Sequence, residues 1–300
     1  MPDILALLLC LQPWITVTTT RQLSRILLGM LTMTGRVTML GIARWTGDGG
    51  SYRTIQRCCA TALPWAQLCW CFLRQHLFHP DDVYLLAGDE VVVTKAGKHT
   101  HGLARCFSSI YQRAVPGLAF FSLALVSTKE RRAFPIRLEQ VVPPEGDQAE
   151  ATAKAVPQGP APAPKRKPGR PKGSKNTAKA DRPLSPELQR IRRLVQALLH
   201  LIAGLFPLTY LLLDGHFGTS AALQLAQQCG SHLISKLRSD AALYAPYEGP
   251  YQGRGPRRKY GAKLNAAALP AKYLQQTTVE GVIETRIYQA QVLQRTFPSP

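Results

Sequence analysis

The sequence predicts an α/β protein with a mixed sheet and flanking helices, preceded by a helical N-terminal domain and interrupted by a disordered basic linker. Up to about residue 80 the apolar residues recur every three or four positions, which is typical of helices. From Val83, runs of β-branched and aromatic residues indicate strands. Between Pro143 and Pro183 the chain is dense in Pro, Ala, Gly and Lys, and it cannot offset its ordering entropy by burial.

The composition indicates a polyanionic partner. The 300 residues are 45% hydrophobic, and 37 Lys and Arg against 18 Asp and Glu leave a formal charge of +19. Cations bind polyanions well because each neutralised phosphate releases condensed counterions. A membrane surface is the competing polyanion, but the apolar start Ile4–Leu11 is far shorter than the roughly 20 residues of a membrane span. We therefore expect double-stranded DNA as the partner, and no membrane.

The cysteines favour a reducing compartment. Seven of them are present, and no two have the C-x-x-C spacing. An odd number without that spacing argues against a disulfide framework and against a zinc ribbon. We expect reduced thiols in a cytoplasmic protein that associates with the nucleoid.

The helical N-terminal block contains a helix-turn-helix pattern. Residues Thr38–Gly47 predict a short helix and a glycine-bearing turn, and Gly50–Arg57 predicts a second helix that begins at a serine and carries Arg53 and Arg57. In one interpretation these arginines enter the major groove of DNA. In the other, the pair is an ordinary helical hairpin whose arginines face water.

The β-rich part begins with three predicted strands. They are Val83–Lys95, Gly102–Val115 and Leu118–Thr128, with Phe134–Val141 extending the last. Because the connections are short, we expect successive hairpins and an antiparallel meander.

The basic linker contains a segment, Lys165–Gly173, that resembles an AT-hook. In an AT-hook a Gly-Arg-Pro core lies extended in a narrow minor groove, and Arg170 would insert where the potential is most negative. A solvated, nonspecific basic linker is the alternative. In both interpretations Arg166, Arg170 and Lys172 bind DNA with a strong salt dependence.

After the linker, the pattern returns to alternating helices and strands. Ser185 and Pro186 open a helix, a strand ends at Asp214, a helix follows to Gln228, and Ser231–Arg238 is the next strand. Strand, helix and strand imply a crossover with parallel pairing. A basic loop over 249–263 and a strand pair over 276–295 complete the chain. The predicted divisions are a helical DNA-binding domain (1–80), the first half of the core (81–142), the linker (143–184), and the second half of the core with the start of a β-rich insertion (185–300).

Two aspartates, Asp89 and Asp214, each close a strand-like apolar run. An ionised carboxylate at the mouth of a buried strand is normally paired with a cation or placed where a metal and a substrate reach it. The predicted sheet allows the two strands to be close neighbours. Such carboxylates hold Mg²⁺, and two ions can activate a water or a DNA 3′-hydroxyl. The alternative is that each aspartate caps the turn that follows it.

Three segments resemble the cut-and-paste DDE transposases of bacterial insertion sequences: Gly88–Lys98, Leu211–Gly218 and the basic loop Gly253–Gly261. The resemblance implies a ribonuclease H-like catalytic core behind the helical N-terminal domain. It also implies that Asp89 and Asp214 are the first and second catalytic, metal-binding acids, for Mg²⁺ or Mn²⁺ as a substitute. The implied reaction is hydrolysis at transposon ends followed by strand transfer into target DNA.

Basic residues near these segments are the expected phosphate contacts. They are Lys95, Lys98, Arg254, Arg257 and Arg258. A homodimer in the DNA complex is an open alternative to a monomer.

The chain departs from the family at the third acid, which should be a glutamate on a helix. Glu280 and Glu284 lie in a segment that alternates like a strand. We therefore expect a C-terminally truncated transposase whose glutamate lies beyond residue 300. Two other functions stay open: a catalytically incomplete DNA-binding remnant, and a ribonuclease H-like nuclease of another pathway.

Overall fold

A computed structural model of the chain describes residues 2–46, 51–97, 100–108, 110–142, 183–202, 205–237, 241–251, 253, 255–266 and 268–294. The predicted AT-hook and most of the predicted linker lie outside the described residues. So do five of the predicted DNA contacts: Lys98, Arg166, Arg170, Lys172 and Arg254. The chain divides into two compact units, one of Met1–Gly159 with Arg193–Thr209 and one of Pro160–Arg192 with Tyr210–Pro300.

The N-terminal part of the first unit is helical. Its helices are α1 Pro2–Leu8, α2 Val17–Thr32, α3 Met39–Trp45, α4 Tyr52–Ala60 and α5 Trp65–His76. Threonine side chains cap two of them: Thr16 Oγ1 accepts a hydrogen bond from the Thr19 N–H at 3.2 Å, and Thr38 Oγ1 accepts one from the Gly41 N–H at 3.0 Å. A shared apolar core joins the helices through Ile26, Ile42, Ile55 and Leu68.

Four strands follow in the first unit: β1 Tyr84–Thr94, β2 Ala104–Ser108, β3 Arg113–Ser127 and β4 Arg132–Val141. Strands β1, β2 and β4 each pair with β3, and every pairing is antiparallel. The predicted succession of hairpins is therefore wrong at its start, since β1 pairs with β3 rather than with β2. The predicted strand Gly102–Val115 in fact contains β2, a turn, and the beginning of β3.

One face of this antiparallel sheet is buried and the other is not. The odd-numbered side chains of β3 from Val115 to Ser127 are buried, whereas the even-numbered ones are exposed or half-buried. Tyr84 and Leu86 of β1 lie on the buried face. The long apolar face of β3 explains the pairing, because β1 can bury its own apolar half against it and the five-residue β2 cannot.

The later part of the chain contains α6 Pro186–Ile202, β5 Tyr210–Leu213, α7 Ser220–Gln228 and β6 His232–Ser235. The predicted serine cap is present, with the Leu188 N–H donating to Ser185 Oγ at 3.3 Å. Strands β5 and β6 are parallel, which confirms the predicted crossover. Two antiparallel pairs complete the second unit. They are β7 Leu243–Pro246 with β8 Tyr260–Leu264, which the sequence did not predict, and the predicted pair β9 Leu274–Glu280 with β10 Ile283–Tyr288.

Antiparallel and parallel pairing together with helices confirm the α/β class. Among the described helices, none combines the length and the apolar character that crossing a bilayer would require. All seven cysteines are free thiols.

Candidate metal centre and nucleic-acid interface

Asp89 lies in the first unit, at the point where β1 passes from its buried half to its exposed half. Its side chain is exposed, and its Oδ1 accepts a hydrogen bond from the Glu90 N–H at 2.8 Å. Asp89 stands opposite Ser122 of β3, whose hydroxyl donates to the Asp89 backbone carbonyl at 3.3 Å. The strand and the serine therefore hold the Asp89 backbone while its carboxylate faces solvent.

Asp214 lies in the second unit, directly after β5. Its Oδ1 accepts a hydrogen bond from the Gly215 N–H at 2.5 Å, and its backbone carbonyl accepts one from the Phe217 N–H at 2.9 Å. The hydroxyl of Ser235, at the end of β6, donates to the same carbonyl at 2.9 Å. Asp214 thus caps the short 3₁₀ turn Gly215–Phe217. This cap uses one of the two carboxylate oxygens of Asp214.

The two aspartates share one arrangement that the sequence did not reveal. In each, a serine from the neighbouring paired strand donates to the main-chain carbonyl of the aspartate, Ser122 for Asp89 and Ser235 for Asp214. Only the strand register identifies these serines, because they lie 33 and 21 positions away in the chain. Each aspartate is therefore positioned through its backbone, and its side chain is not used for packing.

Both carboxylates have the chemistry of a Mg²⁺ ligand. Within the described residues, neither forms an ion pair, and each uses one oxygen for a neighbouring backbone N–H. Both side chains are exposed. Exposed carboxylates suit Mg²⁺, which binds one or two of them and keeps waters and substrate phosphates as further ligands.

The described residues offer no third acid for such a site. In that part of the chain, no three His, Cys, Asp or Glu side chains are grouped so as to hold a metal ion. Glu284 lies on β10, as its alternating pattern predicts, and it pairs with Arg286 through two contacts of 2.8 and 3.1 Å. The Arg286 hydrogen bond lowers the pKa of Glu284. Glu284 is therefore the partner of an arginine on its own strand.

The two helices of the predicted helix-turn-helix correspond to α3 and α4, and residues 47–50 of its turn lie outside the described residues. Arg53 and Arg57 stand one turn apart on the exposed face of α4, and Ile55 and Cys58 hold the opposite face in the core. This arrangement leaves both guanidinium groups accessible to a DNA phosphate or base edge.

The remaining described cations lie at the end of a strand and in a loop. Lys95 is exposed directly after β1, where its backbone N–H donates to the Pro116 carbonyl at 3.1 Å. Arg257 is exposed in the loop between β7 and β8. The guanidinium of Arg258 lies 5.0 Å from the centre of the Tyr247 ring, and its Nε donates to the Tyr260 carbonyl at 3.0 Å. Arg258 thus helps to shape the loop, whereas Arg257 projects from it.

A family model described as DDE superfamily endonuclease matches residues 10–296. The chain belongs to this family. The match confirms the resemblance to DDE transposases and supports a nuclease of the transposase type, a DNA substrate and the use of divalent metals. No curated protein and no solved structure matches the chain.

Proposed function

We propose that this DDE endonuclease is a transposase that cleaves DNA at transposon ends and joins them to target DNA, with Asp89 and Asp214 as ligands of one divalent metal site. The observation that carries the proposal is the pair of exposed, serine-supported aspartates within a family match spanning almost the whole chain. The metal would be Mg²⁺, with Mn²⁺ as a substitute. The core that holds it would be ribonuclease H-like, and Glu284 is not proposed as a ligand.

The described side chains perform distinct tasks in this proposal. Asp89 and Asp214 would hold the metal, whose chemistry there would be activation of a water or 3′-hydroxyl and stabilisation of the leaving oxygen. Ser122 and Ser235 hold the main chain of the two aspartates. The DNA phosphates and waters complete the ligands that Mg²⁺ requires.

The cations divide the binding of DNA among several parts of the chain. Arg53 and Arg57 bind DNA from the helical domain 1–80, and Lys95 and Arg257 bind phosphate nearer the core. The linker 143–184 adds a tether through its own basic residues. Such a distribution suits a nucleoid-associated protein that holds a long duplex, because each cation that neutralises a phosphate adds to the salt-dependent affinity.

A cleavage experiment on the protein itself tests whether the two aspartates share a metal. Full-length protein is loaded with Fe²⁺ in place of Mg²⁺ and treated with ascorbate and peroxide, so that radicals cut the backbone near the bound ion. We expect cuts near residues 89 and 214, and Asp89→Asn should remove both. Asp81→Asn is the matched control, since Asp81 is also an exposed aspartate of the first unit. If Asp89→Asn removes only the cut near residue 89, the aspartates do not share a metal.

One alternative function is a DNA-binding remnant without catalysis. It is favoured because the described residues contain no cluster of three metal-binding side chains. Nicking of a supercoiled plasmid that carries the element's ends separates the two functions. A transposase nicks with Mg²⁺, and Asp89→Asn or Asp214→Asn abolishes nicking while DNA binding persists. A remnant binds the plasmid with the same salt dependence and never nicks it.

A further inference from the structure

On the sheet face that carries Asp89, the second half of β1 is exposed. Directly opposite residues of an antiparallel pair point to the same face. Asp89 therefore shares its face with Val91 and Val93 of β1 and with Ser122 and Phe120 of β3. Both valines are exposed. Exposed apolar side chains next to a candidate metal ligand require an explanation.

The same face continues to the far end of β3, where β2 adds an aromatic ring and a guanidinium. Phe107 stands opposite Ala114, and Arg105 stands opposite Pro116, both even-numbered positions of β3 like Ser122. Phe107 is 63% exposed. Arg105 Nη2 donates to the carbonyl of Ala114 at 3.2 Å. Because Ala114 is the residue opposite Phe107, this hydrogen bond brings the guanidinium close to the Phe107 position. An exposed ring and a cation thus lie side by side on the Asp89 face.

The turn between β2 and β3 extends this group. Ile110 is 85% exposed and Tyr111 is 54% exposed. We call Arg105, Phe107, Ile110 and Tyr111 the hairpin tip. A protein seldom leaves several large apolar side chains exposed in one place unless they bind something.

The charge around the hairpin tip selects an anionic partner. Residues 91–129 contain no Asp or Glu. The described cations in that stretch include Lys95, Arg105 and Arg113, and all three are exposed. An exposed aromatic ring beside a cation, on a stretch of chain without carboxylates, is the combination that binds a base and its phosphate. The charge therefore favours a nucleic acid over an apolar protein surface.

The distance along the face matches a length of DNA. Eight residues of β3 separate Ala114, opposite Phe107, from Ser122, opposite Asp89. At about 3.4 Å per residue this separation is about 27 Å. At about 3.4 Å per base step, the same length of DNA contains about eight base pairs.

We propose that the hairpin tip binds an unpaired nucleotide of the DNA, at a site about eight base pairs from the metal site. Phe107 stacks on the base, and Arg105 contacts the adjacent phosphate. A base inside an intact duplex has no free face for such stacking, so the tip distinguishes DNA with an unpaired segment from a continuous duplex. The separation between the hairpin tip and the metal site rests on the proposed function. The preference of the hairpin tip for DNA with an unpaired segment does not.

Binding of two DNA probes by the full-length protein tests this site. Fluorescence anisotropy compares a duplex with the same duplex carrying a single-stranded tail, in Ca²⁺ so that no cleavage is required. Phe107→Ala should weaken binding of the tailed probe by about 5- to 150-fold, the usual effect of losing one stacked base. Its effect on the blunt duplex should be small. Phe107→Leu should behave like Phe107→Ala, and Phe107→Trp should retain the preference.

Salt dependence separates the ring from the guanidinium. For the tailed probe, Arg105→Gln should reduce the slope of log affinity against log salt by about 0.7, the value for one lost phosphate contact on a single strand. Phe107→Ala should leave that slope unchanged. Val282→Ala is the control for losing an exposed apolar side chain, since Val282 lies fully exposed between β9 and β10.

Three results would overturn the site. The first is an unchanged preference in Phe107→Ala, and the second is an equal loss for the tailed and blunt probes. The third is a Phe107→Ala protein that loses self-association in sedimentation while its DNA binding stays the same, which would make the tip a protein interface. Failure of the proposed function would instead appear as absent nicking in the wild type, with the probe preference still present.

Discussion

Replacing Gly218 with alanine should disturb the loop that carries Asp214. A methyl group at Gly218 would stand 2.9 Å from the Lys236 carbonyl oxygen, where ordinary contact begins near 3.4 Å. The φ of Gly218 is −69°, which any residue adopts, so the effect is steric. Because the contact is with backbone, relief requires movement of the main chain beside Ser235. Overpacking of this kind costs about 1–3 kcal/mol.

The neighbouring glycine provides the control for this substitution. A methyl group at Gly215 would have its nearest contacts at 3.4 Å, so Gly215→Ala should change the free energy of unfolding by less than about 0.5 kcal/mol. Urea denaturation of both full-length variants gives the comparison. The Fe²⁺ cut near residue 214 should weaken in Gly218→Ala and persist in Gly215→Ala. Equal stabilities and equal cuts would refute the argument that close packing at Gly218 positions Asp214.

Three further predictions concern stability and DNA binding. Leu123→Ala should destabilise the protein by about 2–5 kcal/mol in urea, because Leu123 is fully buried, whereas Leu138→Ala, at an exposed position, should cost far less. Arg53→Gln and Arg57→Gln should each lower the salt slope of duplex binding by about 0.9; unchanged slopes would mean that α4 does not contact phosphate. Desolvation raises the pKa of Asp82, but hydrogen bonds from Ser127, the Lys129 and Val83 N–H groups and Thr128 outweigh it, so the pKa is lowered. A lowered pKa stabilises the folded state at every pH above the ordinary carboxyl value near 3.9, and this stabilisation is lost as the pH falls through the lowered pKa. The wild type should therefore be more stable than Asp82→Asn by a constant amount at pH 5–7. That difference in stability should shrink below about pH 4.

Local patterns predicted the helices and the parallel unit well. Ser185 begins α6, and Gly230, at a φ of 68°, follows the end of α7, as expected of a serine cap and a terminating glycine. Strand β5, helix α7 and strand β6 follow one another within 26 residues, and a helical connection of that length is typical of parallel pairing. These features depend on neighbours in the chain, so the sequence was sufficient.

Strand pairing in the first unit could not be predicted in the same way. The segment Gly102–Val115 looks like one strand, but a turn divides it at Gln112, whose φ is 50°. The partner of β1 is β3, more than twenty residues away, because β3 offers the long buried face. A short connection alone would favour pairing of β1 with β2, the next strand along the chain. Burial of apolar area instead favours pairing with the more distant β3.

By itself the sequence determined the α/β class, the family motifs and the two aspartates, because charge, periodicity and residues next to Asp89 and Asp214 are local properties of the chain. Tertiary structure alone decided that both aspartates are exposed, that Ser122 and Ser235 hold their backbones, and that Phe107 and Arg105 share a sheet face with Asp89. The physical reason is the register of the strands. A shift of one residue would turn every side chain to the other face, and register follows from the apolar area that distant strands bury together.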